Sequence, residues 1–281
     1  MIGGCSRKSG YVPSYAGDRT DIRRRSDGHT IMEFFDCNCF IGLPANGILR
    51  PIRTAAELLA QMDRSGVSRG LVWHVAQRDY SATAGNKLLA DAIAGHADRL
   101  TGCWAILPTQ TPELAEPDAL FAQMAKSNVR ALRAFPRLHR YLLRSECVGT
   151  LLEQVVARHV PLMLSVNAAC TWDDVYNILA EFPELVCVIC NVGSWGPDRL
   201  FRPLFERYPN VCMEISEYIL DYGIEDAVRA YDARRLLYGS DFPAADHGGM
   251  MLALKHAEIS DDDKQAIAGG NLERMLNDVR L

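Results

Sequence analysis

Polar side chains close a series of otherwise apolar runs in this 281-residue chain. Asp36 and Asn38 stand in FFDCNCFIG, His74 in LVWHVA, Arg133 in RALRAFP, and Ser165 with Asn167 in PLMLSVN. Asn191 ends VCVICNVG, Glu214 and Ser216 end VCMEIS, and Asp241 sits in YGSDFP. A carboxylate such as Asp241 can take a proton from water, and general-base help of that kind is worth about 10²–10⁴ in rate. A carbonyl attacked by that water becomes an oxyanion. The N–H groups of Arg133, Asn38 and Asn191 can receive it, and losing one such donor typically costs about 10²–10³. Arginine also grips carboxylates in bidentate fashion. The set therefore fits hydrolysis of a small carboxylated lactone, ester or amide. Asp241, Arg133, Asn38 and Asn191 would do the chemistry, and Ser165, Asn167, Glu214, Ser216 and His74 would bind substrate.

Each residue has a plainer reading. Asp241 could cap a turn, and Asn38 and Asn191 could tie loops. Arg133 could pair with Glu214 or Asp241 as a buried salt bridge. Ser165 could be a small core residue and His74 a satisfied one. Trp73 and Trp195 could stack on a flat ligand or simply pack. His139 and His247 are expected in solvent-exposed loops. No Gly-x-Ser-x-Gly elbow or legible Ser–His–Asp set is present, Cys190 lies one residue out of register with the pocket, and Cys170 has no identifiable base, so a nucleophilic enzyme is disfavoured.

These residues need a scaffold that gathers strand ends. Apolar runs recur at 32–40, 69–75, 100–107, 129–135, 161–166, 185–192, 211–216 and 236–241. Several, such as VCVICNV, are apolar on both faces, as parallel strands are when buried between a barrel interior and a helix layer. Helix signals fall between them. Thr54-x-x-Glu57 and Thr171-x-x-Asp174 read as capping boxes, Ser260 precedes an acidic first turn, and Gly66 and Gly95 sit at helix ends. Eight such units predict a single α/β domain, a (β/α)8 TIM barrel over 32–281, with chemistry at the strand C-termini. The alternative, a doubly wound sheet, lacks a G-x-G-x-x-G loop.

Residues 1–31 carry six Lys and Arg against three Asp without hydrophobic periodicity, and are expected to be a disordered basic tail. No apolar segment follows its arginines, so an export signal is not expected. The rest of the chain is acidic, which argues against a nucleic-acid partner. No apolar run approaches the roughly 18 residues needed to span a bilayer, so no membrane partner is expected. Nine cysteines in apolar stretches read as reduced core residues of a cytoplasmic protein. Cys37 and Cys39, two apart, are expected to share one strand face, away from Asp36 and Asn38.

FFDCNCFIG, RALRAFPRLHRY (130–141), YGSDFP and NLERML (271–276), in this order, resemble the amidohydrolase superfamily, in particular its amidohydrolase-related branch of decarboxylases and lactonases. That resemblance implies a metal held by strand-end histidines, but they fall here on Asn38, Phe40, Ser165 and Asn191, and only the strand-eight aspartate is kept, as Asp241. Zinc wants His, Cys or carboxylate, so no cofactor is expected. A weakly held divalent ion such as Mg²⁺ on Asp241 and Glu214 is the alternative. Lactonases of the resembled branch hydrolyse without metal, using that aspartate as general base. The expected activity is therefore a metal-independent, lactonase-like hydrolase of a small molecule. A catalytically silent binding barrel and a decarboxylase-like lyase are the alternatives. The resemblance also implies a homodimer.

Overall fold

In the computed structural model, which describes residues 32–166 and 169–281, each expected apolar run becomes a strand. These are β1 (Phe34–Ile41), β2 (Val67–His74), β3 (Leu100–Ala105), β4 (Val129–Arg133), β5 (Leu162–Ser165), β6 (Cys187–Cys190), β7 (Val211–Glu214) and β8 (Leu236–Leu237). They pair in chain order, every ladder parallel. Helices alternate with them, as parallel connections require. The ring closes from β8 to β1: Cys37 N donates to Tyr238 O at 3.0 Å, and Phe40 N donates to Phe242 O at 2.9 Å. This is a TIM barrel. The basic tail expected over 1–31 lies outside the described residues.

The local signals act as their chemistry dictates. Thr171 accepts from Asp174 N at 3.1 Å and Asp174 takes Thr171 N at 2.7 Å, a reciprocal box before the helix Trp172–Glu181. Thr54 accepts from Glu57 N at 3.2 Å, while Glu57 reaches back one residue further than a strict box, to Arg53 N. Ser260 caps its acidic turn, and Gly66 takes a left-handed φ of 79°. Among the described residues no helix is long and apolar enough to cross a membrane.

Burial separates two layers. The outer, between sheet and helices, includes Phe34, Leu164, Ile189 and Met213; the inner fills the barrel with Phe35, Met163, Val188 and Cys212. The two-residue period then decides which way each strand end points. Met163 and Cys212 face inward, so Ser165 and Glu214, two residues on, face inward too. Ala131 does the same for Arg133.

Two expectations change. Cys37 packs in the inner layer and Cys39 in the outer, so they do not share a face. The pairing of β1 with β2 slips between Asp36 and Cys39, where three steps on β1 match two on β2. Such a bulge resets the alternation. It also separates Asp36 from Asn38: Asp36 turns to the segment after β8 and Asn38 to the barrel interior. The eight described cysteines are all free and seven are buried. The second change is at β8, expected over 236–241 but laddered only over Leu236–Leu237. Beyond it a side chain replaces a backbone partner, because Asp36 takes both the N–H and the hydroxyl of Ser240.

Candidate active site

A cavity of about 540 Å³ opens at the C-terminal ends of the strands. Four predicted residues line it: Arg133, Ser165, Asn191 and Asp241. Phe40, Trp73 and Phe135 form one continuous wall, with ring centroids 4.9 Å and 5.7 Å apart. A larger hollow of about 710 Å³ opens at the other end of the barrel, among Asn210, Arg235 and Arg274, which precede or lie away from the strands. No strand C-terminus reaches it, and barrel chemistry belongs to the C-terminal face.

Asn38 lies directly behind the cavity, 0 % exposed. Its Oδ1 accepts from Arg133 Nη2 at 2.8 Å, and its Nδ2 donates to Glu214 Oε1 at 3.4 Å and Asn191 Oδ1 at 3.5 Å. Asn191 Oδ1 also accepts from Ser165 Oγ at 2.5 Å. Asn191 reaches this network because its backbone is left-handed, φ 54°, a conformation that asparagine tolerates better than most residues. Glu214 is wholly buried and receives four donors: Asn38 Nδ2, Asn191 N at 2.7 Å, Ser216 Oγ at 2.8 Å and Ser216 N at 2.6 Å. Burial pushes its carboxyl up to about 7, against those donated bonds.

Arg133 is buried and rests over the Trp73 ring, 5.0 Å from its centroid. Its Nε has no hydrogen-bond partner, nor has Trp73 Nε1. No ion pair joins Arg133 to Asp241 or Glu214 among the described residues. Asp241 also has a left-handed backbone, φ 55°. Burial raises its carboxyl to about 6; the Asn191 side chain and the Arg133 charge pull the other way, and Glu217 adds to the rise.

Asp36 holds Asp241 in place from behind. Its Oδ1 accepts from Asn38 N and Ser240 N, both at 3.0 Å, and its Oδ2 takes the Ser240 hydroxyl. Ser240 Oγ in turn accepts from Phe242 N at 3.0 Å, so both neighbours of Asp241 are tied down. One carboxylate therefore fixes the ends of β1 and β8 together. His247, expected in solvent, is 1 % exposed. Its ring stacks on Phe242 at 4.0 Å and its Nε2 lies 3.5 Å from Asp36. Burial lowers its pKa against the Asp36 charge. A lone histidine in AADHGG gives no hint of this, because the contact is made by residues on other elements.

The remaining expected residues fall elsewhere. Ser216 serves Glu214 rather than the cavity. His74 does not line the cavity; its Nδ1 accepts from Ala76 N at 3.0 Å in a local turn, and its ring lies beside Gly42. Asn167 lies outside the described residues. Trp195 is 94 % exposed, whereas Trp73 is in the wall. His139 packs on Phe135 outside the lining. Sequence reading missed Arg78, Asp79 and Glu217, which do line the cavity, because Arg78 and Asp79 come from the short helix Ala76–Asp79 and Glu217 from a turn, none of them at a strand end.

Comparison with known proteins adds the following. The family model described as Amidohydrolase matches residues 42–277. No curated protein gives a significant match. Among solved structures, 2,6-dihydroxybenzoate decarboxylase from Rhizobium superposes with a TM-score of 0.69 at 15% identity, covering 88% of this chain and 99% of that one. A candidate 2-pyrone-4,6-dicarboxylic acid hydrolase from Pseudomonas putida gives 0.65 at 18%, covering 88% and 98%. A dihydroxybenzoic acid decarboxylase from Polaromonas, with bound manganese and 2-nitroresorcinol, gives 0.67 at 16%, covering 87% and 97%. At these identities the superpositions establish a shared barrel.

Proposed function

We infer, from the premise that this chain belongs to the amidohydrolase family, that it is a metal-independent hydrolase of a small carboxylated lactone, ester or amide, with Asp241 as general base. The observation that carries this reading is the cavity itself: the Asp241 carboxylate and the Arg133 guanidinium face it together without pairing. Asp241 would take the proton of a water poised on the substrate carbonyl. With its carboxyl near 6, it is ionised at neutral pH and still basic enough for the task. Arg133 would supply N–H groups to the oxyanion or to the substrate carboxylate. Asn38 would hold Arg133, and Asn191 would orient Asp241.

The donor chemistry supports metal independence. Among the described residues no three His, Cys, Asp or Glu side chains gather to hold an ion. Glu214 has its oxygens filled by four donors, both polar groups of the Asn38 side chain have partners, and Phe40 offers no lone pair. That leaves the Asp241 and Glu217 carboxylates, with no histidine beside them in the cavity lining, a set that does not fit the metal of the family, and no step here runs through one.

A decarboxylase-like lyase is the second reading. The wall of Phe40, Trp73 and Phe135 favours it, because a flat ring packs against such faces. One experiment separates the two. Chelator-dialysed protein is offered a panel of small carboxylated lactones, esters, amides and aromatic acids, with product mass recorded. Gain of water supports hydrolysis, loss of carbon dioxide supports the lyase, and turnover only after divalent metal is restored overturns metal independence.

A further inference from the structure

Five charged side chains line the cavity: Arg78, Asp79, Arg133, Glu217 and Asp241. Two of them cancel. Arg78 pairs with Asp79 at 2.5 Å, and the second Asp79 oxygen takes Ala45 N at 2.8 Å. The other three form no ion pair among the described residues. Arg133 spends one nitrogen on Asn38 and leaves its buried Nε unpartnered. Glu217 is half-buried, and its carboxylate makes no hydrogen bond or ion pair with the described residues. Asp241 makes no ion pair with them either. These charges are also sorted by position. Arg133 ends β4, Asp241 follows β8, and Glu217 follows β7. In a ring ordered β1 to β8, β4 and β8 are on opposite sides. The cavity thus has a positive wall and a doubly negative wall, with the aromatic face of Trp73 against the positive side. Charges drawn out of bulk water favour opposite charges nearby, and among the described residues none of these three is held in an ion pair.

We propose that the cavity takes a small zwitterion, a compound carrying both a carboxylate and an amino group, with the carboxylate on Arg133 and the amino group received by Glu217 beside Asp241. Glu217 is then the residue that selects amino-bearing ligands over plain acids. This deepens the reading above, since it takes the same cavity as the ligand site. A substrate of this kind would be an amino-substituted lactone, ester or amide acid, its flat or apolar part lying along Trp73.

The test is calorimetric titration of the full chain near pH 7.5, where Asp241 is ionised, with four probes: 4-(aminomethyl)benzoate, its 3-isomer, benzoate and benzylamine. The expected result is that a zwitterion isomer binds at least about tenfold more tightly than benzoate or benzylamine. In Glu217→Gln, checked by its melting curve for intact folding, that preference falls to about twofold or less. Equal binding of benzoate and both isomers overturns the proposal. So does a preference that survives Glu217→Gln, or no binding of any probe at millimolar concentration. Calorimetry registers binding whether or not anything is cleaved. A protein that binds the zwitterion but hydrolyses nothing sinks the hydrolase reading alone, and a working hydrolase that prefers plain acids sinks this proposal alone.

Discussion

Removing the Asp36 carboxylate should unfasten two strand ends at once. Asp36 is 0 % exposed and accepts three hydrogen bonds, from Asn38 N, Ser240 N and Ser240 Oγ. In Asp36→Ala the two backbone N–H groups lose their acceptor in a dry setting, and water has little room to replace it. A buried donor left unpaired costs about 1–3 kcal/mol. Two of them give about 2–6 kcal/mol, and the carboxyl volume lost at β1 adds to that. Ser240→Ala removes only the hydroxyl, which serves Asp36 and Phe242 N, and should cost about 1–2 kcal/mol. The assay is urea unfolding at neutral pH, with the slope checked for constancy. An Asp36→Ala loss below about 1 kcal/mol, or a Ser240→Ala loss as large as that of Asp36→Ala, would refute the claim that this carboxylate ties β1 to the segment carrying Asp241.

Glu214 makes stability fall with rising pH. Its folded pKa, about 7, lies above the ordinary glutamate value of 4.5. The associated stability is therefore full below about 4.5 and lost as pH climbs through 7, a swing of roughly 3 kcal/mol. Denaturation midpoints measured from pH 4.5 to 8 should show it, and Glu214→Gln should flatten the profile; an unchanged profile in that variant would contradict the assignment. Gly239→Ala should also be disruptive, because a Cβ there would lie 2.6 Å from Glu214 Oε2 and 3.2 Å from Cys37 Sγ. A loss of about 1–3 kcal/mol is expected by melting, and a neutral variant would mean that β8 sits farther from β7 than described.

The barrel was legible because its strands are apolar on both faces and its helices carry caps at their starts. The cavity was partly legible for a related reason. A polar residue two positions beyond an inward apolar one must also face inward, and that places Ser165 and Glu214 without any coordinates. What defeats the rule is irregularity. The bulge after Asp36 shifts the phase of β1, so Cys37 and Cys39 part and Asp36 leaves the face of Asn38. β8 stops after two residues because a side chain from β1 completes the bonding of Ser240. His247 and Glu217 were illegible for another reason: their environments come from residues far away in the chain, and neither sits at a strand end. His74 looked like a strand-end donor and is instead occupied by its own turn.

The central claim is that Asp241 acts as a base in this cavity without a metal. It is tested most directly by initial rates of chelator-dialysed protein against pH, on the best substrate from the panel, for the wild type and Asp241→Asn. The carboxyl near 6 predicts a rate that climbs about tenfold per pH unit below 6 and levels above it. Asp241→Asn should lower the plateau by at least about 10². A rate that appears only with added divalent metal, or an Asp241→Asn profile that overlies the wild type, would contradict the account.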